Sequence, residues 1–201
     1  MITQIGRYEI KEELGRGAMG FVYKARDPLI DRLVAIKLID LQSLGNSERQ
    51  ECLVRFNREA KAAGSLSHPN IVVIHDQGET GDLAYIVMEL LEGRELQSIL
   101  VNGQQLSIDE TLDIIIQVAT GLDFAAQHGI VHLDIKPSNI MILPDRRVKI
   151  VDFGIARILS SLMNSSEGKI LGTPLYMSAL RQAIKRPILW RCAMNTSLNV
   201  A

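Results

Sequence analysis

Two short motifs constrain this chain more than any other feature of its sequence. They read HLDIKPSN at 132–139 and VDFG at 151–154, and Asp152 lies thirteen positions after Asn139. That interval suits a hairpin of two short strands, 140–143 and 148–151, joined by the turn residues PDRR. The hairpin would carry Asn139 and Asp152 to the same place, so the fold must form one polar site there.

The residue types in these motifs predict phosphoryl-transfer chemistry. Asp134 is the candidate acceptor of the proton from an attacking hydroxyl, and Lys136, two residues further on, is placed to neutralise the moving phosphate. Asn139 and Asp152 are the candidate ligands of Mg²⁺. Either motif alone would be weak evidence, whereas the pair at this spacing is specific.

A glycine-rich segment upstream is a candidate phosphate cradle. Residues 14–22 read LGRGAMGFV, and glycines allow backbone N–H groups to approach phosphate oxygens. The dinucleotide-binding fingerprint has the same glycine spacing, and Asp40 lies twenty residues after Gly20, where a ribose-binding acid would fall. That fingerprint opens a helix, however, whereas residues 21–28 alternate like a strand and end in a turn proline. The glycines are therefore predicted to lie in a hairpin.

A lysine and an acid in the next two elements complete the candidate nucleotide site. Lys37 ends the strand-like run VAIK, and Glu59 lies in a helix predicted over 47–65 with Ser47 as its N-cap. As isolated residues, a strand-end lysine and a helix acid would more often be solvated surface groups. Their placement in one ordered set predicts that Glu59 holds Lys37 against the phosphates.

In chain order, the motifs resemble the eukaryotic-type (Hanks-type) serine/threonine protein kinases, and their bacterial members in particular. The resemblance covers about residues 6–178. It implies an α+β, two-lobed kinase-like fold with a β-rich N-lobe containing one long helix and an incomplete, mainly helical C-lobe. The segments that carry it are LGRGAMGFVYKARD, VAIK, FNREA, HPNIV, YIVMELLEG, HLDIKPSN, VDFG and GTPLYM.

The resemblance implies transfer of the ATP γ-phosphate to serine or threonine hydroxyls of a protein, with Mg²⁺ as cofactor and Mn²⁺ as an alternative. Lys136 and Thr173 favour these acceptors over tyrosine, and either Leu143 or Met141 would form the floor of the adenine pocket. The nucleotide-binding residues that it implies are Leu14, Gly15, Gly17, Gly20, Val22, Ala35, Lys37, Glu59, Met88, Glu89, Leu91 and Leu143.

The chain departs from the family pattern at three places. Leu133 stands where most members have an arginine that reads a phosphate on the activation segment, so we expect weaker dependence on phosphorylation there. After Ser178, Ala179 and Leu180 replace the expected proline and glutamate. The remaining tail, 179–201, is basic and is predicted to be disordered, with a basic helix as the alternative.

These observations predict three regions: an N-lobe over 6–89, a partial C-lobe over 90–178 and the off-pattern tail. A helical run after Gly93 is predicted to have Leu96, Ile99 and Leu100 on one face. The capping-box-like sequence SIDE at 107–110 predicts the start of a longer helix over 108–128, which would present an apolar face without a partner. We expect a kinase impaired by the truncated C-lobe. The alternative is a catalytically inactive, ATP-binding regulatory module.

Composition excludes several other classes of protein. Twenty-two Lys and Arg against twenty-three Asp and Glu imply no nucleic-acid partner. No apolar run reaches the roughly eighteen residues that span a bilayer, and the N-terminus lacks a signal-peptide pattern, so a cytoplasmic protein without a transmembrane segment is expected. Two cysteines and four scattered histidines predict neither a disulfide framework nor a zinc site, and His132 is expected to pack rather than to act as a base.

Overall fold

A twisted antiparallel sheet forms the N-terminal half of the chain in the computed structural model, which describes residues 2–17, 20–42, 44–103 and 105–153. Its strand order is β1-β2-β3-β4-β6-β5. The strands are β1 (Gln4–Ile5), β2 (Tyr8–Gly17), β3 (Gly20–Asp27), β4 (Arg32–Asp40), β5 (Ile74–Thr80) and β6 (Leu83–Glu89).

Alternating runs in the sequence predict five N-lobe strands, at 8–14, 20–26, 32–39, 72–76 and 83–88. Four of them are confirmed, and the strand predicted at 72–76 begins later than predicted. The prediction began it at Val72, but the Val72 N–H donates to the Ile150 carbonyl at 3.0 Å, outside the sheet. Strand β5 therefore begins at Ile74. Strand β1 was not predicted, because two residues are too few to show a period.

Strand β4 alternates between two apolar cores, as expected for a strand with both faces covered. Val34, Ile36 and Leu38 pack on one side with Tyr8 and Val87. Ala35 and Ile39 face the other side, so the same alternation turns Lys37 toward that second core.

Helix α1 (Asn46–Gly64) covers this second core and buries Cys52, Phe56, Ala60 and Ala63. The helix begins one residue before the predicted start, and its N-cap is Gly45 rather than Ser47. The Glu48 carboxylate accepts a hydrogen bond from the Gly45 N–H at 3.2 Å, which stabilises the first turn at that register.

Two further helices and a small three-stranded sheet follow. The predicted hairpin is confirmed: β8 (Ile140–Ile142) pairs antiparallel with β9 (Val148–Ile150). The sheet has the order β7-β8-β9. The remaining elements are β7 (Arg94–Glu95), α2 (Leu96–Val101), α3 (Ile108–Gln127) and a 3₁₀ turn (Pro137–Asn139).

Helix α3 begins at the predicted capping box. The Ser107 hydroxyl accepts from the Glu110 N–H at 3.2 Å, and the Glu110 carboxylate accepts from the Ser107 N–H at 3.0 Å. The helix ends just before Gly129, whose φ of 73° is a left-handed conformation that glycine adopts without strain.

The outer face of α3 is apolar and exposed, as predicted. Ile108 is 78% exposed and Ile116 is 62% exposed, whereas only Gly121 and Ala125 are fully buried. In α2, Leu96 and Ile99 are buried, but Leu100, predicted on the same face, is exposed. No helix in the part of the chain that the structure describes has the length and apolar character needed to cross a bilayer.

These elements form the α+β arrangement that was predicted, with a β-rich lobe containing one long helix and few further helices. The limits set at 6–89, 90–178 and 179–201 stay predictions. Residues 154–178 and the tail lie outside the described residues.

Candidate active site

Two of the three glycines in the phosphate cradle are constrained differently. Gly20 has φ 126°, and a Cβ there would lie 1.9 Å from the Leu38 carbonyl oxygen of β4, so the fold itself requires glycine. A Cβ at Gly15 would meet nothing within 4 Å. Gly17 pairs with Gly20 at the end of the hairpin. Open space at Gly15 fits a backbone that a ligand approaches.

The apolar surface predicted to receive adenine, the adenine slot, is formed by residues that share one core. Ala35 stands opposite Met88 in the sheet, and Val22 and Leu91 pack against the core that contains both. Four of the predicted adenine-contacting residues are thus brought together. Leu14, also predicted for this site, is 48% exposed.

Met141 and Leu143 stay the two alternatives predicted for the floor of the slot. Ile140 and Ile142 pack in the core that also contains Leu96 and Val148. The alternation of side chains along β8 therefore turns Met141 to the opposite face of the small sheet. Leu143 lies at the end of β8 beside Gly93, where an added Cβ would be 3.0 Å from the Leu143 Cδ2 atom.

Lys37 pairs with Asp152. Its ammonium lies 2.6 Å from the Asp152 Oδ2 atom, and the lysine is buried. The predicted ion pair with Glu59 is not formed in this structure. Glu59 accepts from its neighbour Arg58 at 3.0 Å, while Asp152, with φ 65°, turns its carboxylate toward the lysine. The role of Glu59 in nucleotide binding stays a prediction.

Three of the predicted residues meet in the loop after α3. The Lys136 ammonium lies 2.7 Å from Asp134 Oδ2, and the Asp134 side chain is only 4% exposed. The Asn139 amide nitrogen donates to the Asp134 carbonyl at 2.8 Å and approaches its Oδ2 at 3.4 Å. The loop therefore holds a carboxylate, an ammonium and an amide in a fixed arrangement.

His132 joins this loop to the one that carries Asp152. Its Nδ1 accepts from the Asp134 N–H at 3.3 Å, so Nε2 carries the hydrogen and donates to the Val151 carbonyl at 2.8 Å. Burial is the main cause that lowers the pKa of His132, which keeps the ring neutral. Its predicted packing role is confirmed, and its ring also contacts Phe153 edge to face.

Two of the four described non-glycine residues with positive φ lie in the same two loops. Leu133 has φ 68° and Asp152 has φ 65°, and a left-handed conformation is unusual for a leucine. Such strain costs on the order of 1–3 kcal/mol and persists where the surroundings hold it. Here the His132 bonds flank both residues and hold them in place.

The donor set fits a hard divalent cation. The Asn139 nitrogen is committed to Asp134, which leaves its amide oxygen as a ligand beside the Asp152 carboxylate. The loops that carry them are joined by a bond of 3.0 Å from the Val151 N–H to the Asn139 carbonyl. The described residues include no group of three or more His, Cys, Asp or Glu that could hold a metal, so phosphate oxygens and water would complete the coordination.

Sequence reasoning missed one charged residue at the site. Lys149 is buried, and its ammonium lies 2.6 Å from Glu89 Oε1 and 3.1 Å from the Ile71 carbonyl. The Glu89 side chain is therefore engaged within the protein, and only its backbone remains for a nucleotide. A single lysine in a short strand looks like a solvated residue, so no sequence signal indicated this pair. Thr173 lies outside the described residues.

Comparison with known proteins agrees with this geometry. The family model for the protein kinase domain matches residues 8–180 of this chain. The chain belongs to the protein kinase family. Membership implies ATP, a divalent cation and a protein substrate, which the sequence predicted.

Bacterial kinases are among its relatives. The serine/threonine-protein kinase PrkC of Bacillus subtilis is 43% identical over 173 residues, covering 86% of this chain and 26% of that protein. PknA of Mycobacterium tuberculosis is 37% identical over 182 residues, covering 88% and 42%. The match thus spans about a quarter of PrkC and less than half of PknA. The kinase domain of Mycobacterium tuberculosis PknI is a structural neighbour, with a TM-score of 0.65 and 28% identity over 78% of this chain and 63% of that one.

Proposed function

We propose that this chain is a serine/threonine protein kinase domain that transfers the γ-phosphate of ATP to a protein hydroxyl. The observation that carries the proposal is the Asp134–Lys136 pair at 2.7 Å, with Asn139 bonded to the same aspartate. A proton acceptor and a cation for the migrating phosphate are thereby held side by side. Family membership and the names of the relatives support the same reaction.

Asp134 is the proposed proton acceptor. As the hydroxyl oxygen of the protein substrate bonds to the γ-phosphorus, the hydroxyl proton passes to the Asp134 carboxylate. The bond from phosphorus to the ADP oxygen breaks in the same step. The Lys136 ammonium stabilises charge on the transferred group. Asn139 and Asp152 would hold Mg²⁺, or Mn²⁺ in its place, which neutralises charge on the phosphate oxygens.

The nucleotide would occupy the slot beneath the glycine hairpin. Val22, Ala35 and Met88 present apolar surface suited to the adenine ring, and Leu91 extends it. The backbone at Gly15 and Gly17 would approach the phosphates, toward which Lys37 would direct its ammonium. Leu14, Gly20, Glu59, Glu89 and Leu143 belong to the same proposed site, although Gly20 also has the steric role described above.

The acceptor is proposed to be serine or threonine, as Lys136 and Thr173 imply by resemblance. Leu133 removes the arginine that would receive a phosphorylated activation segment. We therefore propose activity that depends little on phosphorylation of that segment.

A regulatory module that binds ATP without turnover is the second candidate. The observation that favours it is the exposed apolar face of α3, which immediately precedes the catalytic loop. If α3 is incompletely packed, the loop that follows it would lose its catalytic arrangement while the β-rich lobe still bound ATP.

Thermal shift with Mg²⁺-ATP beside a phosphotransfer assay separates these two candidates. Ligand at about a hundred times its dissociation constant adds about 2.7 kcal/mol of stability to a protein that binds it. A shift with turnover supports the kinase, and a shift without turnover supports the module. If neither a thermal shift nor turnover is observed, both proposals are overturned.

Two matched substitutions test the assigned roles in the same assays. Asp134→Asn should lower transfer by about 10²- to 10⁴-fold and leave the ATP-induced shift intact, because it removes the proton acceptor and the partner of Lys136 but no ligand of the cation. Asp152→Asn should weaken both, because it removes a cation ligand and the partner of Lys37. Equal losses in both variants would contradict the separation of roles.

A further inference from the structure

The buried pair of Lys149 and Glu89 connects three segments of the chain at one carboxylate. Glu89 Oε1 accepts from the Lys149 ammonium at 2.6 Å and from the Val73 N–H at 2.8 Å. The Glu89 N–H in turn donates to the Val73 carbonyl at 2.9 Å, and Lys149 also donates to the Ile71 carbonyl. The lysine side chain is 7% exposed.

The position of each partner gives the pair its significance. Glu89 is the last residue of β6, directly after Met88 and directly before Leu90 and Leu91, where the adenine ring is proposed to bind. Lys149 is the central residue of β9, three positions before Asp152. The pair therefore ties the ring-binding segment to the strand that leads into the cation-binding carboxylate.

The physical reason that such a tie is firm is the burial of its ammonium. A buried charge without its partner is strongly unfavourable, so the Lys149 ammonium keeps the Glu89 carboxylate at its side. The same Glu89 oxygen also accepts from the Val73 N–H, so the Lys149 contact fixes the carboxylate that lies at the start of the 89–91 segment.

We propose that Lys149 is a positioning residue for adenine recognition: it holds Glu89 so that the backbone of 89–91 keeps the geometry that receives the ring. The inference rests on the proposed ATP-binding function and deepens it. Neither charged group touches the nucleotide. Lys149 acts through Glu89, and the phosphate end of the site does not depend on it.

Binding of three probes tests this inference: adenosine, which has no phosphate, Mg²⁺-ATP, and Mg²⁺-tripolyphosphate, which has no ring. Lys149→Met keeps the aliphatic stem and removes the charge. We expect its dissociation constants for adenosine and ATP to rise by the same factor, about tenfold, while that for tripolyphosphate stays within about twofold. Calorimetric titration at a temperature where each variant is folded gives all three values.

Asn70→Ala is the matched control. Asn70 donates to the Val148 carbonyl of the same strand and to Gln117 of α3, at 2.9 Å in each case, without contacting Glu89. This variant should lower the unfolding temperature and leave adenosine affinity within about twofold. A purely structural role for Lys149 would give the same pattern in both variants, and that result would overturn the inference.

Glu89→Gln supplies a second route if Lys149→Met does not fold. The amide oxygen still accepts from Val73, but the charge that partners Lys149 is gone, so adenosine affinity should fall and tripolyphosphate affinity should hold. The double variant should bind adenosine no more weakly than the weaker single variant, because the two residues act as one unit. Additive losses would overturn the inference. If the unaltered chain binds none of the three probes, the proposed function fails first and the inference with it.

Discussion

The two long helices of this chain are nearly equal in length and opposite in packing. Helix α1 has 19 residues and buries Cys52, Phe56, Ala60 and Ala63 against the sheet. Helix α3 has 20 residues and fully buries only Gly121 and Ala125. Its isoleucines and leucine at the outer face lie in solvent. The apolar surface of the β-rich lobe is thus covered within the described residues, whereas that of the lower region is not.

This difference teaches where the site draws its rigidity. Lys37 and the adenine slot belong to the covered lobe, while Asp134 follows the poorly covered helix. Nucleotide binding and phosphate transfer should therefore respond differently to the same loss of packing. Three predictions, in decreasing order of expected effect, test this contrast.

The largest effect is expected from Phe56→Ala in α1. Removing a fully buried phenyl ring leaves a cavity and should lower the free energy of unfolding by about 3–5 kcal/mol, measured by urea denaturation. Val54→Ala, on the exposed side of the same helix, is the control and should change it by less than about 0.5 kcal/mol. Similar losses in both variants would show that α1 does not close a core.

An intermediate effect is expected from acidification. Burial lowers the pKa of both His132 and His75 in the folded chain below the ordinary value of about 6.5, so the unfolded chain takes up more protons as the pH falls. Stability is then fully present above about pH 6.5 and falls below it, by up to about 1.4 kcal/mol per pH unit for each histidine.

Urea denaturation at several pH values between about 5 and 7.5 measures this slope. His132→Gln and His75→Gln should each make the free energy of unfolding depend less steeply on pH. The first variant tests the loop that carries Asp134, and the second tests the sheet. A slope that is flat in the unaltered chain would contradict both assignments.

The smallest effect on stability is expected from Ile116→Gln on the outer face of α3. An exposed side chain should change the unfolding free energy by no more than about 0.5 kcal/mol, while reducing self-association measured by light scattering. Leu122→Gln is the matched control, because Leu122 packs against the core that contains Ala125. It should destabilise the chain clearly. If Ile116→Gln were the more damaging of the two, the contrast between the helices would be wrong.

Local signals in the sequence were sufficient for much of the fold. The capping box at Ser107 and the hairpin between Asn139 and Asp152 depend on residues close in sequence, and both were predicted. The cap of α1 was missed because Gly45 has no side chain to signal it. The two-lobe fold followed from the resemblance rather than from periodicity.

The pairing of charged residues could not be predicted in the same way. Lys37 pairs with Asp152 rather than with the predicted Glu59. The left-handed backbone of Asp152 turns its carboxylate toward Lys37, and Glu59 accepts from the neighbouring Arg58. Lys149 and Glu89 are sixty positions apart and meet only after the sheet and the β8–β9 hairpin have packed. Such choices depend on tertiary orientation, which single residues do not reveal.

The imidazole between the two loops limits what evolution can place at position 132. A replacement must offer one acceptor and one donor at opposite ends of a rigid, uncharged group that spans from the Asp134 N–H to the Val151 carbonyl. Asparagine has both functions but is too short, and glutamine has the length but bends freely. Substitution of His132 should therefore shift the loop of Asp134 relative to the loop of Asp152, while each carboxylate itself stays unchanged.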